Sequence, residues 1–409
     1  MKILFLTHFF IPEVGAATKR IYGLAKNLKN IGHDVEIIAG FPNYPSGIKP
    51  EGYRGKLYME EEIDGLKVYR YYVYSSPKKK SYVRLLNYLS FTVSSCFFIF
   101  QKKKYDAIIV SSPPIFIGIS GLIISAFKRI PLVYDVRDIW PDIALEMGEF
   151  SESSIVFKVM KTLADILYKK SRLITVVTNG KRDKLLSKGI DKNKVEIVTN
   201  GFDREFLSVP VNESLAYELN LKEGFNLVYT GVVGLAQGLD IIIEAASKLA
   251  NYEDIRFFII GDGFEKESLK LKAKDAGLTN IQFLGMLPHE KIITFLKHSG
   301  ASIVPLKNSN LQDSVPTKMF EAMGAGCPVI LSASGESAEI LFKSRGGIVV
   351  ETGNSDTLAE AILFLYRNPE KRDEMAKFGQ EFVLNNYTRD KIAESLSNIL
   401  LKHNLGGSK

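Results

Sequence analysis

Two carboxylates, Asp313 and Glu321, stand eight positions apart in the stretch DSVPTKMFEAMGAGCPVI, with Pro316, Thr317 and Lys318 between them. Eight residues make about two helical turns if one helix carries both. Residues 319–323 read as a short helix ended by Gly324 and Gly326, and residues 327–331 as a buried strand. A loop that turns into a helix offers free backbone N–H groups to an anion, and Lys318 adds a full positive charge. Glu321 is an acceptor one turn further in, suited to the paired hydroxyls of a ribose.

Two other loops have the same strand-loop-helix form. Gly231-Val232-Val233-Gly234-Leu235-Ala236-Gln237-Gly238 has the glycines and the following helix start that suit a diphosphate. Pro12-Glu13-Val14-Gly15-Ala16-Ala17-Thr18 joins the first strand to the first helix, with Lys19 and Arg20 directly behind it. It is not a GxGxxG fingerprint and no acidic residue follows at the ribose position, which counts against a dinucleotide. Asp135-Val136-Arg137-Asp138-Ile139-Trp140-Pro141-Asp142 ends a strand with three carboxylates, an arginine and the single tryptophan. It suits either a binding site or a structural salt-bridge corner. His8, at the end of the first strand, is a lone histidine of either role.

The elements that must position these residues alternate strand and helix nearly throughout, which argues for parallel α/β sheets. KILFLTHFF, HDVEIIAG, GLKVYRYYV, DAIIVSS, PLVYDVRD, RLITVV and KVEIVTN read as strands in the first half. FNLVYTGVV, IRFFIIGDG, IQFLGML, ASIVPL, CPVILS and GGIVVE repeat the grammar in the second. The opening KILFLT is a strand rather than a signal core, having one basic residue before it and no small-residue cleavage site after it. Two doubly wound units bind ligands at the carboxyl ends of their strands. A length of 409 residues fits two domains, and Asn200-Gly201-Phe202-Asp203 followed by Pro210 reads as the linker. Cys96 and Cys327, far apart, give neither a disulfide framework nor a metal cluster, which fits a reducing cytoplasm.

Charge is distributed unevenly. Residues 1–200 hold 31 Lys and Arg against 19 Asp and Glu, and the rest hold 22 against 27. Only the first half therefore suits an anionic partner. No recognition motif or Arg-aromatic interleaving points to nucleic acid. In residues 78–104, Lys78, Lys79, Lys80, Arg84, Lys102, Lys103 and Lys104 flank the uncharged LLNYLSFTVSSCFFIF, with no acidic residue in the window. Sixteen residues are short of the roughly 20 that a spanning helix needs. An interfacial helix on an anionic membrane fits the pattern, as does a buried helix with solvated charges at its ends. Residues 115–127, without such flanks, read as core.

The Asp313-to-Glu321 spacing around Lys318 resembles the acidic-x7-acidic signature of retaining GT-B glycosyltransferases of the family 4 type. The resemblance implies an α/β GT-B fold of two Rossmann-like doubly wound domains facing a cleft. Residues 1–205 would bind the acceptor, residues 206–387 the nucleotide-sugar, and a C-terminal helix within 388–409 would cross back to the first domain. It implies a UDP-sugar donor, a lipid-linked saccharide acceptor and an anionic inner-membrane surface as partners, no cofactor, and a cytoplasmic, peripherally membrane-bound location. Arg137, Asp138, Asp313 and Lys318 then fall at catalytic positions. Gly15, Ala16, Gly231, Gly234, Gln237, Gly263, Leu287, Thr317 and Glu321 fall at donor positions, with the turns at 261–263 and 286–289 lining the base pocket. Lys19, Arg20 and the basic residues of 78–104 fall to acceptor and membrane. No Asp-x-Asp or His/Cys cluster suggests a metal. Many members carry basic residues where Val233 and Gln237 stand, so Lys318, backbone amides and a first-domain residue take over the diphosphate, or its binding is weaker. Relatives often have a His-Asp pair where Arg137 and Asp138 stand. The DVRDIWPD form resembles the O-antigen and capsule subgroup that includes N-acetyl-L-fucosamine transferases. A UDP-sugar 2-epimerase and a non-catalytic sugar-nucleotide-binding subunit are the alternatives.

Overall fold

The computed structural model describes residues 1–78, 80–146, 151–307 and 313–406, so Lys79 lies outside the described residues. The chain divides into two units, one of Met1–Asn200 with Arg389–Lys409 and one of Gly201–Thr388. The first division falls inside the Asn200-Gly201 turn, a few residues before position 205.

The first unit holds β1 (Lys2–Thr7), β2 (Asp34–Gly40), β3 (Tyr58–Ile63), β4 (Leu66–Tyr71), β5 (Ala107–Ser112), β6 (Leu132–Val136), β7 (Leu173–Val176) and β8 (Val195–Ile197). They lie in the order β3-β4-β2-β1-β5-β6-β7-β8. The pairs run parallel except β3 with β4. The second unit holds β9 (Phe225–Thr230), β10 (Ile255–Ile260), β11 (Ile281–Gly285), β12 (Ala301–Pro305), β13 (Val329–Ser332) and β14 (Gly347–Val350). These run parallel in the order β11-β10-β9-β12-β13-β14. Each sheet thus reverses its winding once, between β1 and β5 and between β9 and β12, and open α/β sheets bind ligands at that switch point.

Both faces of each sheet are covered, so the strands are apolar on both sides. Leu4 and Leu6 of β1 enter one core while Ile3 and Phe5 enter the other. Leu227 and Tyr229 of β9 likewise face away from Val228. The edge strand β3, absent from the sequence reading, pairs through an Asp64-Gly65 turn with φ of 50° and 74°, the left-handed pair of a two-residue hairpin.

The C-terminal helix Arg389–Lys402 returns the chain to the first unit, where Ile392, Ala393, Leu396 and Leu400 share a core with Ile21, Leu24 and Leu28. Residues 115–127 prove largely core. Gly118 and Gly121 of the helix Ile117–Lys128 leave room for Leu167 and Val110, 2.5 Å from where their Cβ atoms would lie. The segment Ser81–Phe100 comprises the α-helix Ser81–Ser95 and a 3-10 turn, Cys96–Phe100. By length and composition it is apolar enough to cross a membrane, at mean hydropathy 1.4, and 28% of it is buried.

Arg20 is withdrawn from the surface that the sequence reading assigned it. Its guanidinium, 4% exposed, grips Asp135 of β6 at 2.9 and 3.3 Å and donates to the carbonyls of Val198 and Thr199 and to Asn200 Oδ1. Ser111 and Thr175 also donate to Asp135. Although burial opposes its charge, Arg20 holds the Asp135 carboxyl below its ordinary range. A buried pair costs far more when one partner is removed than when it is intact. Asp135→Ala should destabilise this unit by about 3–5 kcal/mol, read as a fall on the order of 10 °C in its melting temperature. An unchanged melt would show that the pair is not structural.

Candidate functional site

The second unit builds its site from the helix Thr317–Gly324. Pro316 at its N-cap is extended at ψ 125° and among the described residues no side chain caps the first turn. Proline disfavours helical geometry in the residue before it. Asp313 therefore sits, buried, in the preceding turn, and one helix does not carry both carboxylates. Gly324, expected beyond the helix, is its last residue, and a Cβ there would come within 2.7 Å of the Phe202 ring. The end is a Schellman cap: Gly326 (φ 74°) donates to Met323 and Cys327 to Ala322. It feeds the chain into β13 and fixes where the helix starts relative to the sheet.

Lys318 reaches back to the loop after β9. Its Nζ lies 3.9 Å from the Tyr229 ring centroid and 2.8 Å from where a Cβ on Gly231 would be, so any side chain at 231 would displace it. Burial pushes the amine down to about 7, against the opposing pull of Glu321. Glu321 Oε1 lies 3.4 Å from His289 Nε2, and the His289 ring packs on Phe206 at 4.4 Å. The sequence reading placed His289 only as part of a strand-end turn and did not single out Tyr229 or Phe206.

The glycine loop is tied to its neighbours by backbone. Val233 N donates to Asp262 O at 2.9 Å and Val233 O accepts from Glu265 N at 3.1 Å. A Cβ on Gly263 would lie 2.2 Å from Val233 O. Val233 itself is fully buried in the core, so a charged side chain would not fit there without rebuilding that core. Gln237 lies in the 3-10 turn Leu235–Gln237, its Oε1 beside Gly234. Ala236 O accepts from Lys307 N at 3.0 Å, bridging the two loops across the switch point. A Cβ on Gly238 (φ 60°) would lie 2.8 Å from Lys307 Cα. Lys307, exposed at the end of β12, is a second cation at this edge that the sequence reading passed over. Leu287 packs partly against the core beneath. Thr317, Lys318, Glu321 and Gly231 therefore converge, with Gly234, Gln237 and Gly263 on the adjoining loops.

The remaining residues belong to the first unit. Arg137 donates from Nη2 to Pro113 O at 2.8 Å, while its buried Nε has no partner among the described residues. Burial lowers its pKa, with Asp135 and Asp138 opposing. Asp138 Oδ1 lies 4.0 Å from Lys181 Nζ. Gly15 precedes the helix Ala16–Asn30, whose start has no side-chain cap. Glu13 of that loop is structural, accepting from the backbone of Phe10, Asn43 and Tyr44. His8 is buried, its Nε2 2.8 Å from Asn87 Oδ1, and burial pushes it down to about 4. Lys103 is engaged with Glu36 at 2.8 Å and Tyr69 at 2.7 Å rather than lying free on the surface. Lys78, Lys80, Arg84, Lys102 and Lys104 are exposed, and Lys19 is half-buried. Among the described residues no group of three or more His, Cys, Asp or Glu could hold a metal ion.

A buried amine, an uncapped helix start and a glycine loop at the switch point of a doubly wound sheet define an anion-binding α/β domain. Comparison with known proteins narrows the class. Residues 15–201 match the model described as "Glycosyl transferase 4-like domain" and residues 213–382 the model described as "Glycosyl transferases group 1". The chain belongs to the GT-B-type glycosyltransferases. It is 25% identical over 344 residues to the "Putative colanic acid biosynthesis glycosyl transferase WcaI" of Escherichia coli K12, covering 81% of this chain and 83% of that protein. It is 23% identical to the "Uncharacterized glycosyltransferase MJ1607" of Methanocaldococcus jannaschii, covering 98% and 97%. The fold matches that of Anabaena Alr3699/HepE in complex with UDP and glucose, with a TM-score of 0.72 at 18% identity, covering 98% and 99% of the two chains.

The depressed Lys318 amine gives the binding of a diphosphate at this site a pH signature, for which UDP serves as the probe. The free protein carries this charge fully below about pH 7, and a bound diphosphate favours the charged form, so binding takes up a proton above that pH. UDP affinity should be flat below about pH 7 and fall by up to about tenfold per unit above it. Lys318→Arg should flatten the profile, since a guanidinium stays charged. In the empty protein the sign is opposite: the unfolded chain holds the proton more tightly, so the stability penalty is complete below about pH 7 and fades as pH rises towards 10.5. Lys318→Met should raise the melting temperature at neutral pH while abolishing UDP binding. A flat wild-type affinity profile between pH 6 and 9 would remove Lys318 from the diphosphate site.

Proposed function

We propose that the protein is a retaining, metal-independent glycosyltransferase. It moves a sugar from a UDP-sugar, bound by the second unit, to a lipid-diphosphate-linked acceptor received by the first. The carrying observation is the convergence of Lys318, Glu321 and the Gly231 loop at the start of the helix Thr317–Gly324, which offers one cation, one carboxylate and a helix N-terminus to a nucleoside diphosphate. The complexes of HepE with UDP and with UDP-glucose support a UDP-linked donor, and the name of WcaI supports a role in surface polysaccharide synthesis. Lys318, with Lys307 beside the loop, takes the charge-balancing role left open at Val233 and Gln237. Retention proceeds on the donor's front face, the leaving diphosphate helping to take the acceptor proton. Catalysis is then positioning and charge stabilisation, with Asp313, Arg137 and Asp138 as its further members. The exposed cations of residues 78–104 hold the protein to an anionic cytoplasmic membrane surface, each worth up to about 1 kcal/mol.

The donor follows from Arg137. Relatives that meet a donor 6-hydroxyl do so with a histidine at this position, whereas a 6-deoxy sugar such as N-acetyl-L-fucosamine has no such hydroxyl to satisfy. Calorimetry should show Glu321→Gln weakening UDP by about 1.5–3 kcal/mol, roughly ten- to a hundredfold in Kd, with the fold intact. Unchanged affinity would remove Glu321 from the ribose. A transfer panel should favour UDP-N-acetyl-L-fucosamine over UDP-N-acetylglucosamine by more than about tenfold, or about 1.4 kcal/mol. Equal use of both, or preference for a sugar with an intact 6-hydroxyl, would discard the donor assignment and leave the transferase.

A further inference from the structure

The helix Ser81–Ser95 is held to the first unit by Phe91, buried in its core, and by a polar stripe. Asn87 Nδ2 donates to Tyr74 O at 2.7 Å, Ser90 Oγ accepts from Tyr74 N at 2.7 Å, and Ser94 Oγ donates to Tyr72 O at 2.6 Å. These attachments divide two surfaces. On one flank Leu86, Leu89, Val93 and Phe97 recur at helical spacing and, with Leu57 and Tyr74 opposite, line an almost wholly apolar groove of about 1020 Å³. That is the upper end of the range for small-molecule pockets, about 300–1,000 Å³. The groove is left uncovered: Val93 is 65% exposed, Phe97 60% and Leu57 71%. On the other flank, within a turn, Lys80, Arg84 and Asn87 line a pocket of mixed polar and apolar character of about 450 Å³ with Tyr44 and Lys78.

An apolar groove alone does not identify its occupant, but the neighbouring charge does. Residues 78–104 contain no carboxylate, so the basic pocket favours an anion, and the chain segment after Tyr74 runs from groove to pocket. The occupant that satisfies both flanks has an anionic head and a long hydrocarbon tail attached close to it. We infer that the first unit binds one molecule of a lipid phosphate, its hydrocarbon chain in the Leu86–Val93–Phe97 groove and its phosphate against Lys80 and Arg84. This rests on the proposal of a lipid-linked acceptor and adds that the protein grips the lipid chain itself, one molecule at a time, instead of only lying on a bilayer.

Calorimetry of the full chain with farnesyl phosphate below its micellar concentration, farnesol and inorganic phosphate tests it. Farnesyl phosphate should bind at least tenfold more tightly than either fragment. Val93→Asp should weaken farnesyl phosphate at least tenfold with an unchanged melting temperature, because the side chain is outside the core. The double variant Lys80→Gln, Arg84→Gln should weaken farnesyl phosphate and leave farnesol unaffected. Farnesyl phosphate binding that ignores Val93→Asp overturns the inference. So does a protein that binds anionic vesicles but no dispersed farnesyl phosphate, which makes the bilayer the occupant. Transfer to a farnesyl-diphosphate-linked saccharide separates the two claims. Active wild type with an unchanged KM in Val93→Asp rejects the groove and keeps the activity. Val93-dependent farnesyl phosphate binding with no transfer to any lipid-linked saccharide keeps the groove and rejects the activity.

Discussion

One guanidinium ties the first helix to an inner strand of the first sheet and to the chain that follows its last strand. Arg20 projects from the helix that follows β1, pairs with Asp135 in β6 and donates to three successive residues, 198–200, at the close of the unit. Because both charges are nearly dry, the attraction between them is little screened by salt. Neither partner can be dispensed with, and the neighbouring Arg137 and Asp138 are placed by the strand that this pair anchors.

The second unit places its cation differently. Among the described residues Lys318 has no carboxylate at salt-bridge distance, and Glu321 acts on it only from further away. Lys318 lies on an aromatic ring beside a glycine, and the protein tolerates the cost of keeping an amine so poorly hydrated. Such an arrangement is unfavourable for stability and favourable for binding, because the charge is already stripped of water when an anion arrives. Strain of this kind is commonly concentrated where function needs it. The surrounding packing, with Met319, Phe320, Ala322 and Met323 buried on the same helix, offsets the cost.

Much of this was legible in the sequence. Alternating strand and helix runs announce two parallel sheets, and the spacing around Lys318 announces a site. What escaped depended on contacts between distant residues. Lys19 and Arg20 look alike as a basic pair, yet Arg20 finds an aspartate 115 positions away, which no local pattern predicts. The buried Val233 could not be told from a surface valine in a glycine loop. Whether one helix carries both Asp313 and Glu321 was left open, although Pro316, which keeps the helix from reaching back to Asp313, was a signal already present. So was the Asp64-Gly65 turn, whose hairpin was hidden by the charged run Glu60-Glu61-Glu62, two of whose members pair with Lys67 and Arg70 on the neighbouring strand. Lys307 carries no motif and gains meaning only from the carbonyl of Ala236 beside it.

The Lys318 amine has a consequence for the protein's covalent chemistry. Near neutral pH an ordinary lysine is almost entirely protonated and inert, whereas one held at about 7 is free base for much of the time. Lone-pair electrons on nitrogen make a nucleophile, so electrophiles that spare surface lysines should acylate or carbamoylate this one first. A diphosphate on the site would protonate the amine and cover it. Occupancy is thereby written into reactivity, and the empty enzyme is the chemically vulnerable form.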